Sequence, residues 1–194
     1  MTQQLMVAVL AGGEGRRMGG VKALRPFRGT TLLAHAVAQA RRWSDRVVVV
    51  VRDAAQAGAA TDAPLIFDEP GIEGPLAGLA AALRHAQAAG ADLLLTTPCD
   101  TPNLPLDLPQ RLAAALTDEA SVVAPEADGR LEPALALWRP AASRALGAYL
   151  GAGRRSLQGF AAAAGLARAA FTADEAAAFA NANTVEALEA LQRR

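Results

Sequence analysis

Cysteine occurs once in the 194 residues, at Cys99. A lone thiol excludes an intrachain disulfide and any metal cluster built on several cysteines. Aromatic residues make up 4% of the chain, too few for a surface on which single-stranded bases stack. Net charge is also missing, because 19 Lys and Arg balance 19 Asp and Glu. A neutral chain has no broad basic field to hold nucleic acid or an anionic membrane surface. Long hydrophobic runs are lacking. The run Val47 to Val51 is strand-length, far below the roughly 20 residues of a membrane helix. Met-Thr-Gln-Gln-Leu at the start has no basic stretch ahead of an apolar one, so no signal peptide is expected. These absences lead to the expectation of a cytoplasmic chain that binds neither nucleic acid nor membrane.

What is present is an apolar fraction of 52%, enough for one domain to bury a core without staples. Short apolar runs alternate with helical patterns. Strands are expected at Leu5 to Leu10, Val47 to Val51, Leu65 to Phe67 and Leu93 to Thr97, with an extended stretch at Ser121 to Ala124. Helices are expected at Leu32 to Trp43, 53–60, Leu76 to Ala88 and Leu106 to Leu116. Strands without in/out alternation are buried on both faces, and a strand–helix alternation predicts an α/β fold with a mostly parallel central sheet and helices on both faces. Ligands in such sheets sit beyond the carboxyl ends of the strands. That directs attention to the segments after Leu10, Phe67 and Thr97.

The pattern changes after Ala124. Glu126-Ala-Asp-Gly129 is a turn signal, and Glu132 to Trp138 reads as a strand, with an antiparallel direction open to it. Helices are expected at about 140–150 and 155–164. A last amphipathic helix spans Thr184 to Gln192, capped by Asn183 or Thr184.

The segment Leu10-Ala-Gly-Gly-Glu-Gly-Arg-Arg-Met-Gly-Gly-Val-Lys22 follows the first strand. Its glycines, including Gly12, Gly13 and Gly15, let backbone N–H groups converge on phosphate oxygens. Arg16, Arg17 and Lys22 add three cations suited to phosphate. A dinucleotide fingerprint starting at Gly13 needs glycine where Met18 stands, and a P-loop needs Gly20 next to Lys22. The segment is a different phosphate cradle. Asp100, in Thr97-Pro-Cys-Asp-Thr-Pro102, closes a strand where a carboxylate would hold Mg²⁺ beside phosphates. Asp68 holds the corresponding place after Phe67 and could accept from a guanine N1–H and 2-amino pair or from a ribose. Gly74-Pro-Leu-Ala-Gly78 then starts a helix with little bulk. The two histidines, His35 and His85, fall on expected helices with no triad or metal spacing around them.

The ordered set Leu10-Ala-Gly-Gly-x-Gly-Arg-Arg-Met-Gly, Gly74-Pro-Leu-Ala-Gly78, Pro98-Cys-Asp-Thr-Pro102 and Phe179-Ala-Asn-Ala-Asn-Thr184 resembles the molybdenum cofactor guanylyltransferase family. Gly129-Arg-Leu-Glu-Pro133 and Gly153-Arg-Arg-Ser-Leu157 fit the same resemblance, which spans nearly the whole chain. It implies a Rossmann-like nucleotidyltransferase fold in one domain over 1–194. About 1–104 would be the nucleotide half and about 105–194 the acceptor half. It implies transfer of GMP from GTP to the phosphate of a molybdopterin-type cofactor, with Mg²⁺ as metal and Mn²⁺ able to replace it. Leu10, Ala11, Gly12, Gly13, Lys22, Asp68 and Asp100 would contact the nucleotide, with Gly15 and Gly78 beside it. Arg16, Arg17, Lys22 and Asp100 would carry the chemistry, and Asp100 the metal. Asn181 and Asn183 would face the pterin. The residues themselves leave Arg154 and Arg155 two roles, contact with an acceptor phosphate or solvated helix charges. Cofactor-loading proteins or apoenzymes would be transient partners.

The chain departs from the family at Val21, where Asp is frequent, and at Val50 and Val51, where a polar residue is frequent. Two alternatives follow. One is a nucleotidyltransferase using CTP or another phosphorylated acceptor, against which Gly12 speaks. The other is a nucleotide-binding adaptor with impaired catalysis.

Overall fold

The structure, a computed structural model, describes residues 3–12 and 21–193. Strands β1 (Leu5–Leu10), β4 (Val47–Val51), β5 (Leu65–Phe67) and β6 (Leu93–Pro98) run parallel in the order β5-β4-β1-β6. A small hairpin, β2 (Pro26–Phe27) with β3 (Thr30–Thr31), intervenes after β1. The sheet continues through β9 (Ala136–Trp138), β7 (Val122–Ala127) and β10 (Leu166–Phe171), with β8 (Arg130–Leu131) paired to β7. Strand β9 is antiparallel to both its neighbours, β6 and β7. The expected mostly parallel sheet is therefore observed, with β9 inverted in its interior and the two-residue β8 antiparallel to β7.

Helices cover both faces. On one side α1 (Leu32–Ala40) and α3 (Leu108–Ala114) pack over Val7, Val9, Val49, Leu95 and Leu137. On the other, α2 (Pro75–Ala88), α4 (Leu146–Gly151) and α5 (Leu157–Ala163) cover Met6, Ala8, Val48, Leu94 and Trp138. Alternate residues of β1 thus serve opposite cores, which is why its sequence shows no polar positions. A third cluster joins Phe27 of the hairpin and Leu32 to Leu188 and Leu191 of α6 (Val185–Gln192). Thr184 caps α6, its Oγ1 accepting from the Ala187 N–H at 3.2 Å.

Several expectations need correction. The helix begun at Leu32 ends at Ala40, short of Trp43. The 53–60 stretch is a single 3₁₀ turn, Ala54–Gln56, capped by Asp53 and followed by turns at 57–59. The strand expected from Glu132 is confined to Ala136–Trp138, because Pro133 and the turn through Leu135 break it. The helix from Leu106 begins at Leu108, and the one near 140 opens as a 3₁₀ stretch, Pro140–Ala145. Strand β10 was not anticipated, since Leu-Ala-Arg-Ala-Ala-Phe is alanine-rich and poor in β-branched residues.

Candidate active site

The carboxyl ends of β1, β4, β5 and β6 open into one pocket of about 720 Å³. Because β9 is inverted, its amino end reaches the same edge and brings Glu132, Ala134 and Leu135 to the pocket wall. The end of β1 and the residues after it bring Leu10, Ala11 and Gly12 to the pocket lining. They are held there by the Ala11 N–H donating to the Val50 carbonyl at 2.8 Å, and by the Cys99 N–H donating to the Leu10 carbonyl at 3.0 Å.

Lys22 and Asp100 meet at the centre as an ion pair through Asp100 Oδ2, both side chains largely sequestered from solvent. Lys22 Nζ also donates to Asn183 Oδ1 at 2.7 Å. Among the described residues no donor engages the second carboxylate oxygen of Asp100, Oδ1. The segment after Asp100 is clamped from α1 and the turn behind it. His35 Nε2 donates to the Pro102 carbonyl at 2.9 Å, Gln39 to Leu104 at 2.8 Å, and the Trp43 indole to Leu106 at 2.9 Å. From the other side, the Ala182 N–H donates to the Asp100 carbonyl at 2.8 Å, and Thr101 Oγ1 donates to Asn181 Oδ1 at 2.7 Å. Asp100 is thus fixed by contacts remote in sequence, and both histidines stay out of the pocket lining.

Asp68 lies at one end of the pocket. Its carboxylate sits against Gly12 and Gly78. A Cβ on Gly78 would stand 3.2 Å from Asp68 Oδ1, and one on Gly12 3.5 Å from Oδ2. Glycine at 78 therefore lets the carboxylate lie against the first turn of α2. Gly74, at φ +71°, turns the chain into that helix, with Pro75 at its first position. Burial pushes the Asp68 carboxyl above its usual range, and the charge of Arg52 opposes the shift.

Glu132 lies at the other end, on the wall that precedes β9. Burial pushes its carboxyl up as well, Arg130 draws it back, and the Asp100 charge adds to the rise. Cys99 also lines the pocket, but it is buried and its thiol is pushed up to about 12, chiefly by burial and then by Asp100. A thiol held there is a packed residue, not a nucleophile.

Of the residues singled out from the sequence, the structure brings Leu10, Ala11, Gly12, Lys22, Asp68, Gly78, Asp100 and Asn181 to this one pocket. Asn183 stands just behind it on Lys22. Arg154 and Arg155 lie exposed between α4 and α5 and are not among the pocket-lining residues. The Arg155 guanidinium donates to the carbonyls of Leu150 and Arg154. Gly13, Gly15, Arg16 and Arg17 lie outside the described residues. Val21, at the first departure, packs against the hydrophobic core, and Val50, at the second, forms apolar pocket wall.

Sequence reasoning missed Arg52, Glu132 and Phe179 as pocket residues. Arg52 follows the carboxyl end of β4 and was open to the same rule that found Asp68 and Asp100. Glu132 was not, because its place depends on the inversion of β9.

The chemistry of the donors suits a hard divalent cation. Asp100 offers a carboxylate oxygen beside a cationic phosphate-binding side chain. No cluster of three or more His, Cys, Asp or Glu exists among the described residues. Mg²⁺ needs no such cage, since it takes one or two carboxylates and completes its shell with substrate phosphates and water.

Residues 7–170 match the MobA-like NTP transferase domain. A molybdenum cofactor guanylyltransferase of Cereibacter sphaeroides is 40% identical over 186 residues, 95% of this chain and 94% of that protein. One from Acidiphilium cryptum is 41% identical over 200 residues, with 97% and 94% covered. Among solved structures, molybdopterin-guanine dinucleotide biosynthesis protein A from Archaeoglobus fulgidus superposes with a TM-score of 0.78 over 97% of each chain at 25% identity. With described residues of four of the ordered motifs on one pocket, these matches lead to one conclusion: the chain belongs to the molybdenum cofactor guanylyltransferase family, within the MobA-like NTP transferases.

Proposed function

We propose that this enzyme transfers GMP from GTP to the phosphate of the molybdopterin-type cofactor, releasing pyrophosphate. The observation that carries the reading is the Lys22–Asp100 pair at the centre of a pocket whose end holds Asp68 against Gly12 and Gly78. A carboxylate there accepts two hydrogen bonds from the N1–H and 2-amino group of guanine. Adenine and cytosine present no such pair of adjacent donors. The half of the chain to about residue 104 supplies this nucleotide end, and the remainder supplies the acceptor end.

In the reaction an oxygen of the acceptor phosphate forms a bond to the α-phosphorus. The bond from that phosphorus to the bridging oxygen breaks in line, and its electron pair leaves with pyrophosphate. A phosphate monoester is already an anion, so no general base is called for, in keeping with a pocket lining that includes neither histidine. Lys22, oriented by Asn183, neutralises charge on the departing phosphates. Arg16 and Arg17 are assigned the same task from the sequence. Asp100 orients Lys22 and is the side chain that would hold Mg²⁺ or Mn²⁺. A cation bound there supplies charge neutralisation at the α-phosphate. Catalysis then consists of positioning and preorganised electrostatics.

Thermal denaturation with GTP, CTP, ATP and UTP tests the nucleotide assignment. A ligand at 100 times its dissociation constant adds about 2.7 kcal/mol to stability, so GTP is expected to raise the melting temperature most. A larger shift with CTP contradicts the reading. Asp100→Ala and Lys22→Ala are each expected to lower turnover roughly a hundredfold or more, as loss of one charge-stabilising group does. Wild-type turnover in either contradicts their roles.

A further inference from the structure

Two carboxylates, not one, bound this pocket. Asp68 lies at one end and Glu132 at the other, with Lys22 and Asp100 between them. In both the charged form is disfavoured first by burial. Among the described residues, Asp68 has no hydrogen-bond donor on its carboxylate, and Glu132 has one ionic partner, Arg130, on Oε1 at 2.8 Å. Arg130 is itself largely exposed, so that pair adds little stability and yields readily to a ligand. The backbone of Glu132 is fixed on both sides. Its N–H donates to the Pro125 carbonyl at 3.1 Å, and its carbonyl accepts from the Leu135 N–H at 3.0 Å. Leu135 and Phe179 give this end of the pocket apolar surface.

Guanine and a pterin share one chemical edge. Both are 2-amino-4-oxopyrimidines, and both present a ring N–H beside an exocyclic amino group. A pocket that joins the two ligands through their phosphates therefore needs the same acceptor pair twice, once at each end. We propose that Glu132 is the specificity residue for the acceptor, its carboxylate taking the ring N–H and 2-amino group of the pterin as Asp68 takes those of guanine. This inference rests on the guanylyltransferase reading above and adds to it the residue that recognises the acceptor.

The test is steady-state kinetics of wild type and Glu132→Gln with GTP and molybdopterin as substrates, following guanine dinucleotide formation. Glutamine keeps the size of the side chain but replaces one acceptor with an NH₂ that meets the pterin donors head on. The expected result is a rise of about tenfold to a hundredfold in KM for molybdopterin, the loss typical of a charged hydrogen-bonded pair. KM for GTP stays within about twofold, and the Mg²⁺ concentration giving half-maximal rate is unchanged. Glu132→Asp is expected to recover part of the acceptor affinity, and Arg130→Ala to leave KM for molybdopterin within about twofold, separating recognition from a structural ion pair. An unchanged acceptor KM in Glu132→Gln overturns the proposal while the guanylyltransferase reading stands. A shifted Mg²⁺ requirement with an unchanged acceptor KM also overturns it, by making Glu132 a metal ligand. Failure of wild type itself to form product from GTP and molybdopterin overturns the underlying reading and the proposal with it. Thermal melts that show Glu132→Gln unfolded leave Glu132→Asp to decide: an acceptor KM equal to wild type overturns the proposal, and a raised one supports it.

Discussion

Gly78 is the residue at which shape and chemistry meet most closely. The position its Cβ would take is 3.2 Å from Asp68 Oδ1 and 3.4 Å from Val50 Cγ1. Val50 is core and cannot give, so the shift falls on Asp68, which faces the open pocket. We predict that Gly78→Ala displaces the Asp68 carboxylate and lowers GTP affinity about tenfold, the scale of one or two hydrogen bonds to a charged group. Calorimetric titration with GTP checks this, and wild-type affinity contradicts it. At this scale the sequence was informative where one rule applied. Lys22, Asp68, Gly78 and Asp100 were found because they follow strands of a parallel sheet or lie within a glycine-rich segment. Glu132 escaped that rule, since it precedes a strand. It reaches the same edge only because that strand runs backwards, a fact set by pairing partners 40 residues away.

Strand β9 shows at the scale of elements how that edge is held. Buried Thr96 on β6 lies opposite Ala136, and the two strands are stitched by more than the ladder. The Trp138 indole N–H donates to Thr96 Oγ1 at 3.1 Å, and Thr96 Oγ1 donates to the Ala136 carbonyl at 3.3 Å. Thr96→Val keeps the shape of the side chain and removes the hydroxyl, leaving a buried indole N–H without an acceptor. The expected cost is about 1–3 kcal/mol, read as a lower denaturation midpoint at unchanged slope. A midpoint equal to wild type contradicts this account of the β6–β9 junction. Element type was legible wherever period and β-branching agreed, as in Val47–Val51 or the capped α6. It failed at β10, where alanine and arginine carry no strand preference and pairing with β7 over six residues decides the matter. It failed also at Glu132, where the turn imposed by Pro133 shortens an otherwise continuous apolar pattern.

At the scale of the whole molecule, the chain's late segments return to brace its early ones. Asn181 and Asn183 secure Thr101 and Lys22, and α6 packs on the hairpin that follows Lys22. Further out, the Arg111 guanidinium of α3 bonds Glu175 and lies 3.6 Å from the centre of the Phe171 ring. Arg111 holds the Glu175 carboxyl down at about 2, with the Thr172 N–H helping, against an ordinary value of 4.5. A carboxyl depressed on folding contributes stability above its unfolded value and loses it as pH falls through the folded one. Stability from this contact is thus present above pH 4.5 and fades between there and about 2. We predict that Glu175→Gln loses less stability than wild type across that interval in acid denaturation. Parallel curves for the two proteins contradict the linkage. Nothing in the local sequence at Arg111 or Glu175 announces this contact, because 64 residues separate the partners.

The central claim is transfer of a guanine nucleotide by the residues gathered between Asp68 and Glu132. The measurement that tests it most directly offers the purified protein molybdopterin with equal GTP and CTP, in the presence of Mg²⁺, and identifies the dinucleotide formed. The account predicts guanine dinucleotide in large excess and pyrophosphate released in equal amount. Cytosine dinucleotide as the main product, or pyrophosphate without any dinucleotide, contradicts it.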